Sequence, residues 1–62
     1  MSEIHVVPEG HLWLVKRNGV TQEPTHRLKR RALDHAYRVA KSGDTLVVHD
    51  RTGRVMDRRR TR

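Results

Sequence analysis

The sequence predicts an α+β fold in which a small antiparallel sheet of four to five strands carries one helix packed on one face. Short β-branched runs separated by turn residues occur before residue 25 and after residue 43. Between these regions the apolar residues change to a helical spacing. The chain has 62 residues, a length that accommodates one small domain. The predicted order is β-β-(β)-α-β-β, where the parentheses mark a third strand that the pattern does not require.

Two strands joined by a tight turn are predicted near the start of the chain. Residues 4–7 and residues 12–17 are short runs rich in β-branched and aliphatic side chains. Asn18 and Gly19 follow the second run, and both tolerate the positive φ that a type I′ hairpin turn requires. Residues 20–23 are then a third, polar strand closed by a proline, which is typical of a sheet edge.

The helix is predicted between residues 25 and 43. Its apolar residues fall within one stripe about 100° wide, as expected for a helix that covers a core. We expect the helix to begin between His26 and Arg30, with Thr25 as its N-cap. Ser42 and Gly43 end it, because glycine suits the left-handed position after a helix. The stripe consists of Ala32, Leu33, Ala36, Val39 and Ala40.

A second hairpin and a tail are predicted after the helix. Residues 44–49 form a strand, Gly53 supplies the positive φ of a turn, and residues 54–57 form a last short strand. The remaining residues are almost all arginine, and runs of like charge are typically disordered. We therefore predict one compact domain over residues 1–57 and a flexible, arginine-rich tail over residues 58–62.

Both faces of the predicted sheet carry apolar side chains. On the second strand Trp13 and Val15 share one face, whereas Leu12 and Leu14 share the other. We expect Trp13 in the core, because small sheets usually bury their large aromatic residue. One helix covers only one face, so a loop, the tail or a second copy of the chain is expected to cover the other. A homodimer is therefore one open interpretation.

The order of several short phrases resembles a small bacterial and phage family known only as a domain of unknown function, number twenty-one eighty-eight. The likeness covers roughly residues 4–56. The resemblance implies a compact domain with a sheet and one helix, and it implies no activity and no site residue. Two departures from the family pattern are the strongly basic segment of residues 25–31 and the arginine-rich tail of residues 58–62. The phrases are HVVP at residues 5–8, Trp13-x-Val15, the alanine-spaced helix of residues 32–40, LVVH at residues 46–49 and Gly53-x-Val55.

Composition and motif content exclude several classes of site. The absence of cysteine excludes disulfides, thiolate zinc sites and a cysteine nucleophile. No nucleophile elbow, phosphate-binding loop or paired-carboxylate motif occurs, so we predict a non-enzyme without a cofactor. The five histidines lack metal-ligand spacing, and no metal site is predicted, although His5 and His49 are candidates for a neighbouring pair in the sheet. No apolar run approaches the ~18 residues of a membrane span and no signal peptide is apparent, which predicts a cytoplasmic protein without a membrane partner.

The charge is polarised along the chain. Residues 1–24 carry two basic and three acidic residues, whereas residues 25–62 carry twelve basic and four acidic residues. Arginine matches phosphate with a planar fork of donors, so this distribution favours binding to a nucleic-acid backbone with little sequence selectivity. The candidate phosphate contacts are Arg27, Lys29, Arg30, Arg31, Arg38, Arg54, Arg58, Arg59 and Arg60.

Duplex DNA is the preferred nucleic-acid partner. A sheet that recognises single-stranded RNA presents two or three exposed aromatic side chains, whereas Trp13 and Tyr37 are the only aromatic residues of this chain. The alternative is a protein-interaction module, a phage or host accessory factor that docks an acidic partner through Leu12 and Leu14 or through the edge at residues 20–23. A third interpretation is a homodimer whose subunit interface is the apolar second face of the sheet. The charge alone is also compatible with arginines that serve only solubility.

Overall fold

The structure is a computed structural model that describes residues 2–61, and these residues form five strands and one helix. The α+β class and the order β-β-β-α-β-β are confirmed, and the third strand is present. The elements are β1 (Glu3–Glu9), β2 (Leu12–Arg17), β3 (Val20–His26), α1 (Lys29–Val39), β4 (Thr45–His49) and β5 (Val55–Arg60).

The five strands form one mixed sheet in the order β3-β2-β1-β4-β5. Three neighbouring pairs are antiparallel, but β1 and β4 are parallel. The sheet is therefore mixed, whereas the sequence predicts an antiparallel sheet. The helix is the reason for this difference. It carries the chain back across the sheet from the β3 edge, and β4 therefore enters beside β1 in the same direction.

The first hairpin turn has the predicted geometry, whereas β3 is longer than predicted. Asn18 and Gly19 have φ values of 52° and 82°, as a type I′ turn requires. Strand β3 continues past Pro24 to His26, because a proline without an N–H group is tolerated on the outer side of an edge strand. The bond between Glu23 and Pro24 is cis.

The helix begins within the predicted interval, but Thr25 does not cap it. Thr25 belongs to β3, and the N-cap is Leu28, which makes no side-chain capping hydrogen bond. At the other end Arg17 Nη1 donates a hydrogen bond of 2.9 Å to the carbonyl of Val39. Gly43 has a φ of +88° but lies in the following turn, beyond the C-cap. No helix within residues 2–61 is long and apolar enough to cross a membrane.

The helix packs on one side of the sheet, here called the helix side. Trp13 is 7% exposed and belongs to the core, as predicted. The other side of the sheet, here called the open side, has no second layer within residues 2–61. Leu14 and Val47 lie there and are nevertheless buried, at 5% and 0% exposure. The core beneath the helix consists of Ile4, Val6, Trp13, Val15, Ala32, Ala36, Leu46 and Val48.

The last strand is longer than predicted and includes the first three residues of the predicted tail. Strand β5 continues to Arg60, which is in register with Thr45 of β4. Thr61 then donates from its N–H to the carbonyl of Asp44 at 2.8 Å. Backbone pairing is indifferent to side-chain charge when the side chains point to solvent, so a run of arginines can extend an edge strand. Arg62 lies outside the described residues.

Candidate nucleic-acid interface

The nine predicted contact residues divide between the two sides of the sheet and one end of the molecule. Arg30, Arg31 and Arg38 are exposed on the outer surface of α1. The opposite surface of α1 buries Ala32 and Ala36 on the sheet, so helical periodicity turns these three arginines towards solvent. They form the centre of a basic surface on the helix side.

Arg59 joins this basic surface from β5. Its register partner is Leu46, a core residue, so the Arg59 side chain lies on the helix side. Arg59 Nη1 donates to the Tyr37 hydroxyl of α1 at 2.9 Å, and Arg59 Nε donates to Asp57 at 2.6 Å. These bonds raise the pKa of Arg59 and lower the pKa of Asp57. We call Arg30, Arg31, Arg38 and Arg59 the arginine surface.

Arg58 and Arg60 lie on the open side, because successive residues of a strand alternate between faces. Arg58 is in register with Val47, and its Nη1 lies 3.4 Å from a carboxylate oxygen of Glu3. Arg60 is in register with Thr45. The structure therefore separates these two arginines from the arginine surface, although they are adjacent to Arg59 in sequence.

The remaining three predicted residues occupy loops and the start of the helix. Arg27 precedes α1 and is exposed, and Arg54 lies in the β4–β5 connection, where its N–H donates to Asp50 at 3.0 Å. Lys29 Nζ lies 5.4 Å from the centre of the Trp13 ring, within the range of a cation–π contact. The Lys29 ammonium thus already has a contact within the protein.

A buried ion pair escapes the sequence analysis. Asp44 is 2% exposed and lies 3.4 Å from Arg17 Nη2. Its carboxylate also accepts backbone N–H groups from Lys41 at 2.8 Å and from Ser2 at 3.0 Å. The Lys41 N–H is the main cause of the lowered pKa of Asp44. This network is structural, because it fastens the segment after α1 to the start of β1 and the end of β2.

His5 and His49 are neighbours on the open side, as the sequence analysis anticipates. His5 Nδ1 lies 2.8 Å from His49 Nε2, and His5 Nε2 lies 3.0 Å from a carboxylate oxygen of Glu3. The Nδ1 of His49 contacts the carbonyl of Gly53 at 3.0 Å. Within residues 2–61 no group of three or more His, Asp or Glu side chains is arranged to hold a metal ion.

A second histidine pair lies on the helix side, between β3 and α1. His26 Nε2 contacts His35 Nδ1 at 3.0 Å, and the two rings are nearly perpendicular. His35 is 7% exposed, and its burial lowers its pKa, assisted by the nearby His26 and Arg38. The Pro24 carbonyl opposes this shift by hydrogen bonding. His35 is therefore held neutral as part of the packing between helix and sheet.

Comparison with known proteins gives one finding. The family model described as "Uncharacterized protein conserved in bacteria (DUF2188)" matches residues 4–61, which is nearly the whole chain. No curated protein and no solved structure matches the chain.

Proposed function

Since the chain belongs to this family of uncharacterized bacterial proteins and the family description names no activity, we propose a function from the charges of its two sides. The protein binds nucleic acid, specifically double-stranded DNA, by contacts to the phosphate backbone that are largely independent of sequence. The arginine surface makes these contacts. The helix side faces the duplex, and the open side faces away from it.

The observation that carries this proposal is a group of three arginines on the outer surface of α1 that have no carboxylate partner among residues 2–61. Within residues 2–61 no carboxylate lies within 4.0 Å of Arg30, Arg31 or Arg38. Arg59 is the paired member of the arginine surface, because its Nε contacts Asp57, and on the open side Arg58 contacts Glu3. Guanidinium groups without internal partners remain available for phosphates, and each phosphate that they neutralise releases counterions from the DNA.

The form of the surface supports a duplex over a single strand. An exposed α-helix is a convex ridge, which the major groove of B-DNA is wide enough to admit. The corresponding groove of A-form RNA is deep and narrow, so the same ridge fits it less well. Trp13 is buried in the core, and no aromatic platform for unpaired bases is exposed on the described part of the sheet.

The residues of the helix disfavour the reading of adenine bases. The exposed surface of α1 carries no Asn or Gln, the side chains that pair bidentately with adenine. Asp34 lies among the arginines of this surface and is repelled by phosphate, which limits how closely the helix approaches the strand. Arginines around such a position contact phosphates on either side of it.

Two double variants with the same loss of charge test the proposal. Arg30→Gln/Arg31→Gln removes two cations from the arginine surface, and Arg58→Gln/Arg60→Gln removes two cations from the open side. Binding to a labelled random DNA duplex is measured by fluorescence anisotropy over a salt series. The helix variant is expected to lower the log–log salt slope by about two, since each phosphate contact contributes about 0.9. The open-side variant is expected to bind much as the wild type does.

Three outcomes contradict parts of the proposal. Absence of wild-type binding at physiological salt removes nucleic acid as the ligand. Equal losses in the two double variants remove the helix side as the interface and leave only non-specific attraction by net charge. Equal affinity for a matched RNA duplex removes the preference for DNA. Each of these results is available from the same titrations.

A second candidate function is the docking of an acidic, extended segment of a protein partner against β5. Strand β5 has one unpaired edge, and Val55 and Met56 are exposed on it at 47% and 58%. The opposite edge, β3, is less suited to strand addition because it contains Pro24, which has no N–H group to donate. The predicted docking residue Leu14 is buried and offers little area. An acidic peptide that shifts the β5 amide signals in an NMR titration, and still does so at high salt, supports this function.

A further inference from the structure

Three loops meet at one end of the sheet and enclose a cavity of about 210 Å³. The β1–β2 turn contributes Gly10 and His11, the β3–α1 loop contributes Arg27, and the β4–β5 turn contributes Arg51. The cavity is mostly polar, in contrast to the core beside it. We call it the loop cavity. Its lining consists of Pro8, Gly10, His11, Trp13, Arg27 and Arg51.

The two arginines of the loop cavity are not neutralised by the protein. Within residues 2–61 no carboxylate lies within 4.0 Å of Arg27 or Arg51. Asp50 is adjacent to Arg51 in sequence, but its carboxylate is occupied within its own turn. It accepts the backbone N–H groups of Thr52 at 2.9 Å and Arg54 at 3.0 Å. Two guanidinium groups from distant parts of the chain therefore line one cavity without an internal anion.

The start of the helix adds to the positive potential near Arg27. The N-cap Leu28 makes no side-chain capping bond, and the first turn contains no acidic residue. The partial positive charge of a helix N-terminus is usually offset by such groups. Here a lysine and two arginines follow the N-cap instead. This end of the molecule thus lacks the acidic side chains that ordinarily balance a helix start.

We propose that the loop cavity binds a phosphate group, and that in the complex with DNA it holds the terminal phosphate of a strand. A terminal phosphate monoester carries a charge close to −2 at neutral pH, which two guanidinium groups match. A concave site admits the end of a strand, whereas an internal phosphodiester continues in both directions and suits the convex helix. The identification of the strand end rests on the proposed function; the phosphate site itself does not.

The protein contains its own optical probe for this site. Trp13 is the only tryptophan in the chain and lines the loop cavity. Titration with inorganic phosphate is therefore followed by tryptophan fluorescence. In parallel, anisotropy compares two duplexes of the same sequence, one phosphorylated at every strand end and one with hydroxyl ends. The wild type is expected to bind the phosphorylated duplex about tenfold more tightly, because charge-assisted bidentate bonds are the strong ones.

Single variants assign the preference to the cavity. Arg27→Gln and Arg51→Gln are each expected to abolish most of the tenfold preference and to reduce the fluorescence response to phosphate. Lys16→Gln removes the same charge from β2, away from the loop cavity, and is expected to keep the preference. Arg51→Lys retains the charge but not the fork and is expected to restore only part of it. All three positions are partly or fully exposed, so the four variants are expected to fold.

The possible results separate the two proposals. Equal wild-type affinity for the two duplexes overturns the strand-end assignment and leaves the DNA-binding proposal in place. A fluorescence response to phosphate without duplex binding removes the DNA-binding proposal and assigns the cavity to a free phosphate compound. A preference that survives in both Arg27→Gln and Arg51→Gln overturns the cavity as the site. An equal response to an acidic peptide overturns phosphate as its ligand.

Discussion

The helix side and the open side are built by the same strands but reach burial and charge balance in different ways. On β4, Val48 lies beneath the helix at 2% exposure, and its neighbour Val47 lies on the open side at 0%. No second layer covers Val47 within residues 2–61. In register beside it are His5 of β1 and Arg58 of β5, whose longer side chains shield it. In a small sheet, polar side chains on neighbouring strands can thus shield an apolar residue from solvent.

The charged side chains of the two sides also differ in their contacts. On the open side Glu3 contacts both His5 and Arg58, so these three side chains form one network. On the helix side Arg30 and Arg31 have no such partner within the described chain. The difference shows that charge counted along the sequence does not reveal which cations the fold leaves without an internal partner.

The largest effect is expected from a matched pair of core variants. Val48→Ala removes two methyl groups from beneath the helix, where the surrounding layers cannot collapse, and is expected to lower the free energy of unfolding by about 2–3 kcal/mol. Val47→Ala leaves a gap that side chains and water can fill, and about 1 kcal/mol is expected. Urea unfolding monitored by Trp13 fluorescence measures both. Equal losses would mean that the open side is covered as firmly as the helix side.

A smaller effect is expected from substitution of two acidic residues, the buried Asp44 and the exposed Glu3 of the open side. Asp44→Asn removes the charge that holds Arg17 and weakens the bonds from two N–H groups, and the melting temperature is expected to fall by about 10 °C. Glu3→Gln alters an exposed network and is expected to have little effect.

The pH dependence of stability tests the role assigned to the Asp44 carboxylate. Its pKa in the folded protein is lowered, so its stabilising contribution is present at neutral pH and is lost as acid protonates it. Thermal melts between pH 7 and pH 2 are expected to converge for wild type and Asp44→Asn in strong acid. Curves that stay parallel over that range would contradict the assigned role.

The smallest effect concerns the buried histidine pair of the helix side. The folded-state pKa of His35 lies below its ordinary value of 6.5, so the unfolded chain takes up a proton first as the pH falls. Stability attributable to His35 is therefore greatest above pH 6.5 and declines as the pH drops through that value. In His35→Leu, which keeps the side chain buried without a titrating group, this part of the decline between pH 7.5 and 5.5 is expected to disappear. An unchanged slope in the variant would contradict the buried, neutral state.

Local features of the fold were predictable because they depend on neighbouring residues. Asn18 and Gly19 define their turn by backbone preference alone, and the spacing of Ala32 and Ala36 defines the buried face of the helix. Thr25 illustrates the limit of such signals. It has the right chemistry for an N-cap, but pairing within β3 takes precedence over it.

Features that depend on distant pairing were not predictable. The parallel pairing of β1 and β4 joins segments separated by three elements, and no local pattern specifies it. The extension of β5 to Arg60 depends on pairing with the free edge of β4. The sequence does not indicate this extension, because a run of arginines is typical of a disordered tail. The loop cavity is a similar case. Arg51 and His11 lie far apart in sequence, and only the folded sheet brings their loops together.

The parallel pair at the centre of the sheet also has a consequence for how the protein is made. As the chain leaves the ribosome, β1, β2 and β3 can form a meander, but one edge of β1 stays unpaired until Thr45–His49 has been synthesised. Until then Ile4 and Val6 lack the strand that completes their layer. Nascent chains stalled before β4 are therefore expected to be the species that aggregates or requires a chaperone. Folding waits for that long-range closure, so it is expected to be slower than that of a helical bundle of equal length.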